Sequence, residues 1–122
     1  MPDPQRTVCI FEDHQDIQML LKIFFKKRGW NAVVNGDGVD AVAIVRQHQP
    51  RLVLMDIIMP GKDGIAACKD LRESGIDVPV IFLSSKPFIE DRERAMAAGA
   101  TSFLHKPFNP RDLEAAIAPY VG

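Results

Sequence analysis

The hydrophobic residues of this chain form two alternating kinds of segment. Short, almost continuous apolar runs are typical of strands buried on both faces, as in parallel sheets. Between them lie segments whose apolar residues recur every third or fourth position, the spacing of a helix with one buried face. Five runs alternate with five such segments. This order predicts βαβ units with right-handed crossovers, and one parallel sheet covered by helices on both sides.

The strands are predicted at residues 7–11, 30–34, 52–56, 78–83 and 101–104. In the first helix, four apolar residues spaced i, i+3, i+4 and i+7 are expected to face the core: Ile17, Leu20, Leu21 and Phe24. The fourth helix, from Pro87 to Ala98, is the least amphipathic because residues 90–94 are all charged. Asn109 is predicted to cap the fifth helix, with Pro110 at its first position.

Composition fits one soluble domain. The chain has 122 residues, of which 47% are hydrophobic and 25% charged, and its formal net charge is -1. We therefore expect a single domain over residues 6–120 after a flexible stretch of five residues, with no direct binding to nucleic acid or membrane. Cys9 and Cys68 fall inside apolar patterns, which indicates buried free thiols and a cytoplasmic location.

Polar residues stand at four of the five predicted strand ends: Glu12 and Asp13, Asp56, Ser84, and Lys106. Each has an ordinary explanation when taken alone. Asp13 could cap a helix, Asp56 could belong to the turn at Pro60, Ser84 could be a loop hydroxyl, and Lys106 could be solvated. In an open parallel sheet, however, ligands bind beyond the carboxyl ends of the strands. The four strand ends are therefore expected to form one site.

The chemistry of such a site follows from its charges. Three neighbouring carboxylates repel one another and favour a bound cation, and an all-oxygen ligand set suits Mg2+. A lysine and a hydroxyl beside that cation are suited to bind phosphoryl oxygens. A carboxylate can also act as a nucleophile and form an aspartyl-phosphate. The pattern predicts phosphoryl transfer onto a carboxylate, supported by positioning and charge neutralisation.

The chain resembles the receiver domain of response regulators of bacterial two-component signalling systems. Four motifs carry this resemblance, in order along the chain: Glu12-Asp13, the segment Asp56-Ile57-Ile58-Met59-Pro60-Gly61-Lys62-Asp63-Gly64, Phe82-Leu83-Ser84-Ser85, and Gly99-Ala100 followed by Phe103-Leu104-His105-Lys106-Pro107-Phe108. Each motif alone is weak, but all four at the right strand ends are specific. The resemblance implies a flavodoxin-like (βα)5 fold with strand order 2-1-3-4-5.

The resemblance also implies a phosphorylation site. Asp56 would accept the phosphoryl group from a histidine kinase or a histidine phosphotransfer protein. Mg2+ would be held by Glu12, Asp13, Asp56 and the backbone carbonyl of Ile58. The domain would then be a phosphoacceptor switch that assists its own phosphorylation and dephosphorylation, rather than an enzyme acting on other substrates.

Further roles follow from the same resemblance. Ser84 would be the switch hydroxyl and Phe103 the aromatic switch residue, while Lys106 would pair with the phosphoryl group and precede a cis peptide bond at Pro107. The signal would pass through the surface of helix 4, strand 5 and helix 5, with Ile89 and Phe103 contacting a downstream protein target or output domain. A kinase would dock near helix 1 and the loop between strand 5 and helix 5.

Rival interpretations remain open at this point. An aspartyl-phosphate phosphatase of the haloacid-dehalogenase-like type has a second acid two positions after the nucleophile, and this chain has Ile58 there. A receiver-like scaffold that works without phosphorylation is opposed by the intact set of polar residues. No Gly-x-Gly-x-x-Gly motif follows strand 1, which argues against dinucleotide binding. His14, His48 and His105 lack paired metal-ligand spacing, so no transition-metal site is expected, and His105 should face away from the site.

Overall fold

The computed structural model describes residues 6–85 and 89–121, the side chains of residues 89–91 excepted. Five parallel strands form one sheet: β1 (Thr7–Phe11), β2 (Asn31–Asn35), β3 (Leu52–Asp56), β4 (Val80–Ser84) and β5 (Ser102–His105). Their order across the sheet is β2-β1-β3-β4-β5. This order confirms the flavodoxin-like fold that the sequence predicts.

Helices follow all five strands: α1 (Gln15–Lys27), α2 (Ala41–His48), α3 (Gly64–Glu73), α4 (Ile89–Ala97) and α5 (Pro110–Ile117), the last continued by a 3-10 turn at Ala118–Tyr120. They cover the two faces of the sheet and close two hydrophobic cores. Side chains alternate along a strand, so each central strand contributes to both cores. One core lies under α2, α3 and α4, and the other lies under α1 and α5.

The inward face of α1 differs from the prediction. Leu20 is 43% exposed, whereas Phe25 is completely buried. The ring of Phe25 lies edge-on to those of Phe24 and Trp30, with centroids 5.2 and 5.4 Å apart. The helix is therefore rotated so that its aromatic residues fill the core, because they remove more apolar surface from water than Leu20 would. The prediction that Leu20 faces the core was wrong.

Three strand boundaries also differ from the prediction, each by one or two residues. Strand β2 begins after Trp30, because the backbone N–H of Trp30 donates to the carbonyl of Phe25 at the end of α1 (3.0 Å). Strand β4 begins at Val80, because the carbonyl of Val78 accepts a hydrogen bond from Arg72 (2.8 Å). Strand β5 is shifted to Ser102–His105. The predicted start of helix 4 at Pro87 lies outside the described residues.

The predicted cap of α5 is confirmed. The side chain of Asn109 accepts a hydrogen bond from the backbone N–H of Asp112 (2.8 Å), and the Asp112 side chain accepts one from the Asn109 N–H (3.2 Å). This reciprocal pair is a capping box, and Pro110 stands at the start of the helix. Because the cap fixes where α5 begins, it also fixes the length of the loop that follows Lys106.

Cys9 and Cys68 are both buried free cysteines, as predicted. Burial raises the pKa of the Cys9 thiol to about 12, so this thiol stays protonated at neutral pH and is a poor nucleophile. Among the described residues, no helix is both long enough and apolar enough to cross a membrane.

Candidate functional site

The predicted site residues lie together at the carboxyl edge of the sheet. Asp56 and Ser84 are the last residues of β3 and β4, and Glu12 and Lys106 directly follow β1 and β5. The register of the sheet pairs Asp56 with Leu83, which places Ser84 one residue further along the neighbouring strand. Parallel strands thus bring residues that are far apart in sequence to the same edge.

Lys106 joins two buried carboxylates, those of Glu12 and Asp56. Its Nζ atom lies 2.7 Å from Glu12 Oε1 and 3.0 Å from Asp56 Oδ2. The three side chains are 12%, 0% and 9% exposed, respectively. The backbone N–H of Lys106 donates to the Ser84 carbonyl (2.7 Å), and the Lys106–Pro107 peptide bond is cis, as predicted. A group that binds to Asp56 would therefore lie next to the positive charge of Lys106.

Burial and charge act differently on the three ionisable groups. Burial raises the pKa of Asp56; the hydrogen bond from Lys106 opposes this rise, and repulsion from Glu12 adds to it. Burial also acts to raise the pKa of Glu12, but hydrogen bonds from Lys106 and His14 outweigh it, and the pKa of Glu12 is lowered. Burial opposes the charge of Lys106, yet the two carboxylates raise its pKa. Asp56 is thus the less stabilised carboxylate of the pair, and Lys106 carries its proton at neutral pH.

The other carboxylate oxygens remain available to a cation. Lys106 contacts only one oxygen of each partner. Asp56 Oδ1 accepts one long hydrogen bond, from the backbone N–H of Ile58 (3.3 Å), and Glu12 Oε2 accepts one from the backbone N–H of His14 (3.0 Å). Asp13 Oδ1 is buried and accepts no hydrogen bond, although His14 Nδ1 lies 3.3 Å away. A buried carboxylate oxygen without a donor is unfavourable unless a cation binds it. The oxygens of Glu12, Asp13 and Asp56 therefore fit Mg2+, which prefers such hard ligands.

One member of this cluster was missed by the sequence analysis. His14 Nδ1 lies 3.2 Å from Glu12 Oε2 and 3.3 Å from Asp13 Oδ1. Its backbone N–H also donates to Glu12 Oε2 (3.0 Å). The hydrogen bond with Glu12, followed by attraction to Asp13, raises the pKa of the imidazole. The sequence feature that could have indicated this contact is the position of His14, directly after the acidic pair and at the start of α1.

Gly64 allows the backbone of Asp56 to approach α3 closely. The N–H of Gly64 donates to the carbonyl of Ile57 (2.8 Å). A Cβ atom at position 64 would lie only 2.0 Å from the carbonyl oxygen of Asp56, a distance that no side chain tolerates. The glycine thus fixes how the strand that bears Asp56 meets the helix that follows it.

Phe103 and Arg92 connect β5 to α4. The half-buried ring of Phe103 stacks on that of Phe82, with centroids 6.1 Å apart and planes inclined by 28°. The guanidinium carbon of Arg92 lies 5.4 Å from the centre of the Phe103 ring. His105 is exposed, as predicted, while its neighbour Lys106 contacts Glu12 and Asp56.

An open cavity of about 370 Å³ adjoins the acidic cluster. Its lining combines apolar residues of α1 with the end of β5: Ile17, Leu20, Ser85, Lys106, Pro107 and Phe108. Leu20, which the sequence analysis assigned to the core, thus lines this cavity instead. Met19 and Ile23 of the same helix are 65% and 49% exposed. The acidic cluster therefore has an apolar border on the side of α1.

Comparison with known proteins agrees with this geometry. Residues 8–118 match the response regulator receiver domain family, and the chain belongs to that family. Receiver domains are phosphorylation-dependent switches of two-component signalling, and the acidic cluster at the edge of this sheet fits that role.

Individual relatives show how far the likeness extends. The chain is 33% identical over 113 residues to a probable transcriptional regulator, ycf27, of Porphyridium aerugineum. The match covers 93% of this chain and 47% of that protein, so the chain spans about half the length of this curated relative.

Two solved receiver domains are similar in structure. The BeF3-activated N-terminal receiver domain of Klebsiella pneumoniae RstA is 28% identical, with a TM-score of 0.86 and coverage of 94% of this chain and 97% of that one. The receiver domain of the sensor histidine kinase PA1611 of Pseudomonas aeruginosa is also 28% identical, with a TM-score of 0.86 and coverage of 96% and 98%. The latter has a magnesium ion coordinated in its active-site cleft.

Proposed function

We propose that Asp56 accepts a phosphoryl group from the phosphohistidine of a histidine kinase or of a histidine phosphotransfer protein. The observation that carries this proposal is the pairing of Asp56 with Lys106 beside Glu12, at the strand edge where ligands bind. In the reaction, a carboxylate oxygen of Asp56 forms a bond to phosphorus. The bond from phosphorus to the donor imidazole breaks, and the imidazole nitrogen keeps the electron pair and takes up a proton.

Residues of this chain prepare the acceptor. Burial and the charge of Glu12 keep the Asp56 carboxylate poorly stabilised, which favours a reaction that spreads its charge onto a phosphoryl group. Lys106 holds a positive charge 3.0 Å from Asp56 Oδ2 and can pair with a phosphoryl oxygen. Ser84 lies at the adjacent strand end, in the position of a hydroxyl that closes on the phosphoryl group.

The cluster also provides for Mg2+. Glu12, Asp13 and Asp56 would hold the ion, together with the backbone carbonyl of Ile58. When bound, Mg2+ would neutralise charge on the transferred phosphoryl group. The magnesium ion in the PA1611 receiver domain and the buried oxygen of Asp13 that accepts no hydrogen bond both support this part of the proposal.

The output surface that we propose consists of α4, β5 and α5. Of the described side chains of α4, those of residues 92–97, Ala95 is the one buried in the core, and the buried Ala98 directly follows the helix. Such small side chains anchor a helix weakly, so α4 can shift when Asp56 is modified. Phe103 lies between this helix and the sheet, where a change in its orientation would alter the surface. The side chain of Ile89, also predicted to contact a partner, lies outside the described residues.

The phosphodonor docks elsewhere in this proposal. The cavity beside Lys106 has an apolar border formed by Leu20 and Phe108, and the exposed Met19 and Ile23 continue that border along α1. A donor protein must bring its phosphohistidine to Asp56, and an apolar surface next to the acceptor would hold it there. We place both partners and the domain in the cytoplasm, where buried free thiols persist.

Phosphorylation of the purified chain tests the acceptor. With Mg2+ and acetyl phosphate, intact-mass spectrometry should show one added phosphoryl group, and Asp56→Asn should abolish it. Asp77→Asn, at an exposed aspartate beyond the opposite strand ends, is the matched control and should still be labelled. An unlabelled wild-type chain, or a labelled Asp56→Asn variant, would contradict the assignment. Repeated turnover of a small phosphate ester would point instead to a phosphatase.

Chemical-shift mapping tests the surface. Addition of a beryllofluoride phosphoryl mimic should move backbone amide resonances of α4, β5 and α5 in the wild-type chain and leave Asp56→Asn unaffected. If the changes were confined to α2 and α3, the proposed output surface would be wrong, even if Asp56 were phosphorylated.

A further inference from the structure

The acidic cluster has two sides that face different groups. On one side Lys106 contacts Glu12 Oε1 and Asp56 Oδ2. On the other side His14 Nδ1 lies 3.2 Å from Glu12 Oε2 and 3.3 Å from Asp13 Oδ1. The carboxylate oxygens that Lys106 leaves available therefore lie next to an imidazole nitrogen.

The spacing of these atoms suits a single ion. Ligand atoms of Glu12, Asp13, His14 and Asp56 all lie within 4.8 Å of one another. Two ligands of one divalent ion are separated by at most twice the metal–ligand distance, about 4 to 5 Å for the usual bond lengths. Asp13 Oδ1, which is buried and accepts no hydrogen bond, lies on the same side as the imidazole. All four side chains can thus contribute to one coordination sphere.

The backbone holds His14 at this place. Its N–H donates to Glu12 Oε2 (3.0 Å), while its side chain is 66% exposed and can reorient toward an ion. An imidazole is a good ligand for first-row transition ions, whereas Mg2+ prefers oxygen. The nature of this one residue therefore affects which divalent cations the cluster prefers.

We propose that His14 is a further metal ligand, which makes this cluster a mixed oxygen and nitrogen site with increased affinity for first-row transition ions such as Co2+. The inference rests on the proposed function, in which Glu12, Asp13 and Asp56 hold a divalent cation. It goes beyond that function because the oxygen ligands alone would suffice for Mg2+. His14 thus determines cation preference rather than the ability to bind a cation.

Metal titration of the whole chain tests the role of His14. Calorimetry with Co2+ and Mg2+ should show that His14→Gln weakens Co2+ binding by about tenfold or more, since loss of even an outer-shell partner commonly has that effect. Mg2+ affinity should change by less than about twofold, because Mg2+ relies on the oxygen ligands. The visible absorption of bound Co2+ should change with the loss of the nitrogen ligand.

His105→Gln is the matched control, because His105 is an exposed histidine on β5. It should bind both ions like the wild-type chain, and circular dichroism of both variants should match the wild-type spectrum. Equal Co2+ affinity and an equal Co2+ spectrum in the wild-type chain and in His14→Gln would overturn the inference while leaving the Mg2+ site intact. Absence of binding of both ions to the wild-type chain would overturn the metal site of the proposed function as well.

Discussion

Replacing Lys106 with methionine removes the positive charge that two buried carboxylates share. At an effective dielectric constant near 20, contacts of 2.7 and 3.0 Å correspond to a gross attraction of about 5 to 6 kcal/mol each. Burying the ammonium group offsets several kcal/mol of this attraction. Glu12 and Asp56 stay buried after the replacement. We therefore expect the free energy of unfolding to fall by about 3 to 5 kcal/mol at neutral pH without Mg2+.

The loss of unfolding free energy in Lys106→Met should be larger at neutral pH than at acidic pH. In the wild-type chain the pKa of Lys106 is raised, so its contribution is present at neutral pH and is lost only as the pH rises through the folded-state pKa. The pKa of Glu12 is lowered, so its contribution is lost as the pH falls through that value. In Lys106→Met both carboxylates become harder to ionise. Acid therefore relieves the repulsion in the variant, and the difference from wild type shrinks below neutral pH.

Urea denaturation followed by circular dichroism measures this difference between pH 4.5 and pH 7.5, the range of about three units over which carboxylates with raised pKa values titrate. Lys69→Met is the matched control, because Lys69 forms an exposed ion pair with Glu73 at 3.9 Å. The control should lose less than about 1 kcal/mol. A loss below about 1 kcal/mol in Lys106→Met, or one that is equal at every pH, would refute the reasoning that buried charge dominates this site.

Three further substitutions probe other parts of the structure. Asp56→Asn should raise the free energy of unfolding at neutral pH without Mg2+, because burial raises the pKa of Asp56; this gain should vanish below the ordinary aspartate pKa of about 4. Arg72→Ala should cost about 2 to 3 kcal/mol in urea denaturation, because Arg72 donates to the carbonyls of Gly99, Ile76 and Val78. Gly64→Ala should cost at least about 1 to 3 kcal/mol and slow phosphorylation, because its Cβ would collide with Asp56.

Each of these substitutions has its own control. Asp37→Asn, at an exposed aspartate, is the control for Asp56→Asn and should leave the free energy of unfolding unchanged. An equal increase in both variants would contradict the prediction that the burial of Asp56 causes the effect. Arg46→Ala removes one exposed hydrogen bond (3.2 Å) to Ser74 and should cost less than about 1 kcal/mol. Gly36→Ala is the control for Gly64→Ala, because a Cβ atom at position 36 would have only Gln18 Nε2 within 4 Å, at 3.9 Å. Normal phosphorylation of Gly64→Ala would contradict the prediction, because it would show that Asp56 tolerates displacement.

Much of the fold was predictable because each central strand is a continuous apolar run. Such a run suits a strand with both faces covered, and the alternation with helices then limits the connections to parallel ones. The orientation of α1 was not predictable in the same way. Leu20 and Phe25 both continue an acceptable helical stripe, and only the packing of Phe25 against Phe24 and Trp30 selects one of them.

The candidate site was predictable as a group of strand ends, but its internal contacts were not. The sequence places Glu12, Asp56 and Lys106 at one edge, whereas the sharing of one ammonium group between two carboxylates depends on side-chain positions. His14 was passed over because spacing rules for metal ligands look for paired histidines and cysteines. Its contact with the acidic pair arises where the chain turns from β1 into α1.

Glu12 and Lys106 form their ion pair across 94 positions of the chain. During synthesis the ribosome releases Glu12 long before Lys106, and the acceptor lacks its lysine until β5 has emerged and joined the sheet. Contacts of such long range form late, after the intervening chain has been ordered. If Asp56 accepts a phosphoryl group as proposed, a nascent or truncated chain would therefore lack the lysine that pairs with that group. The complete site thus exists only when folding is complete.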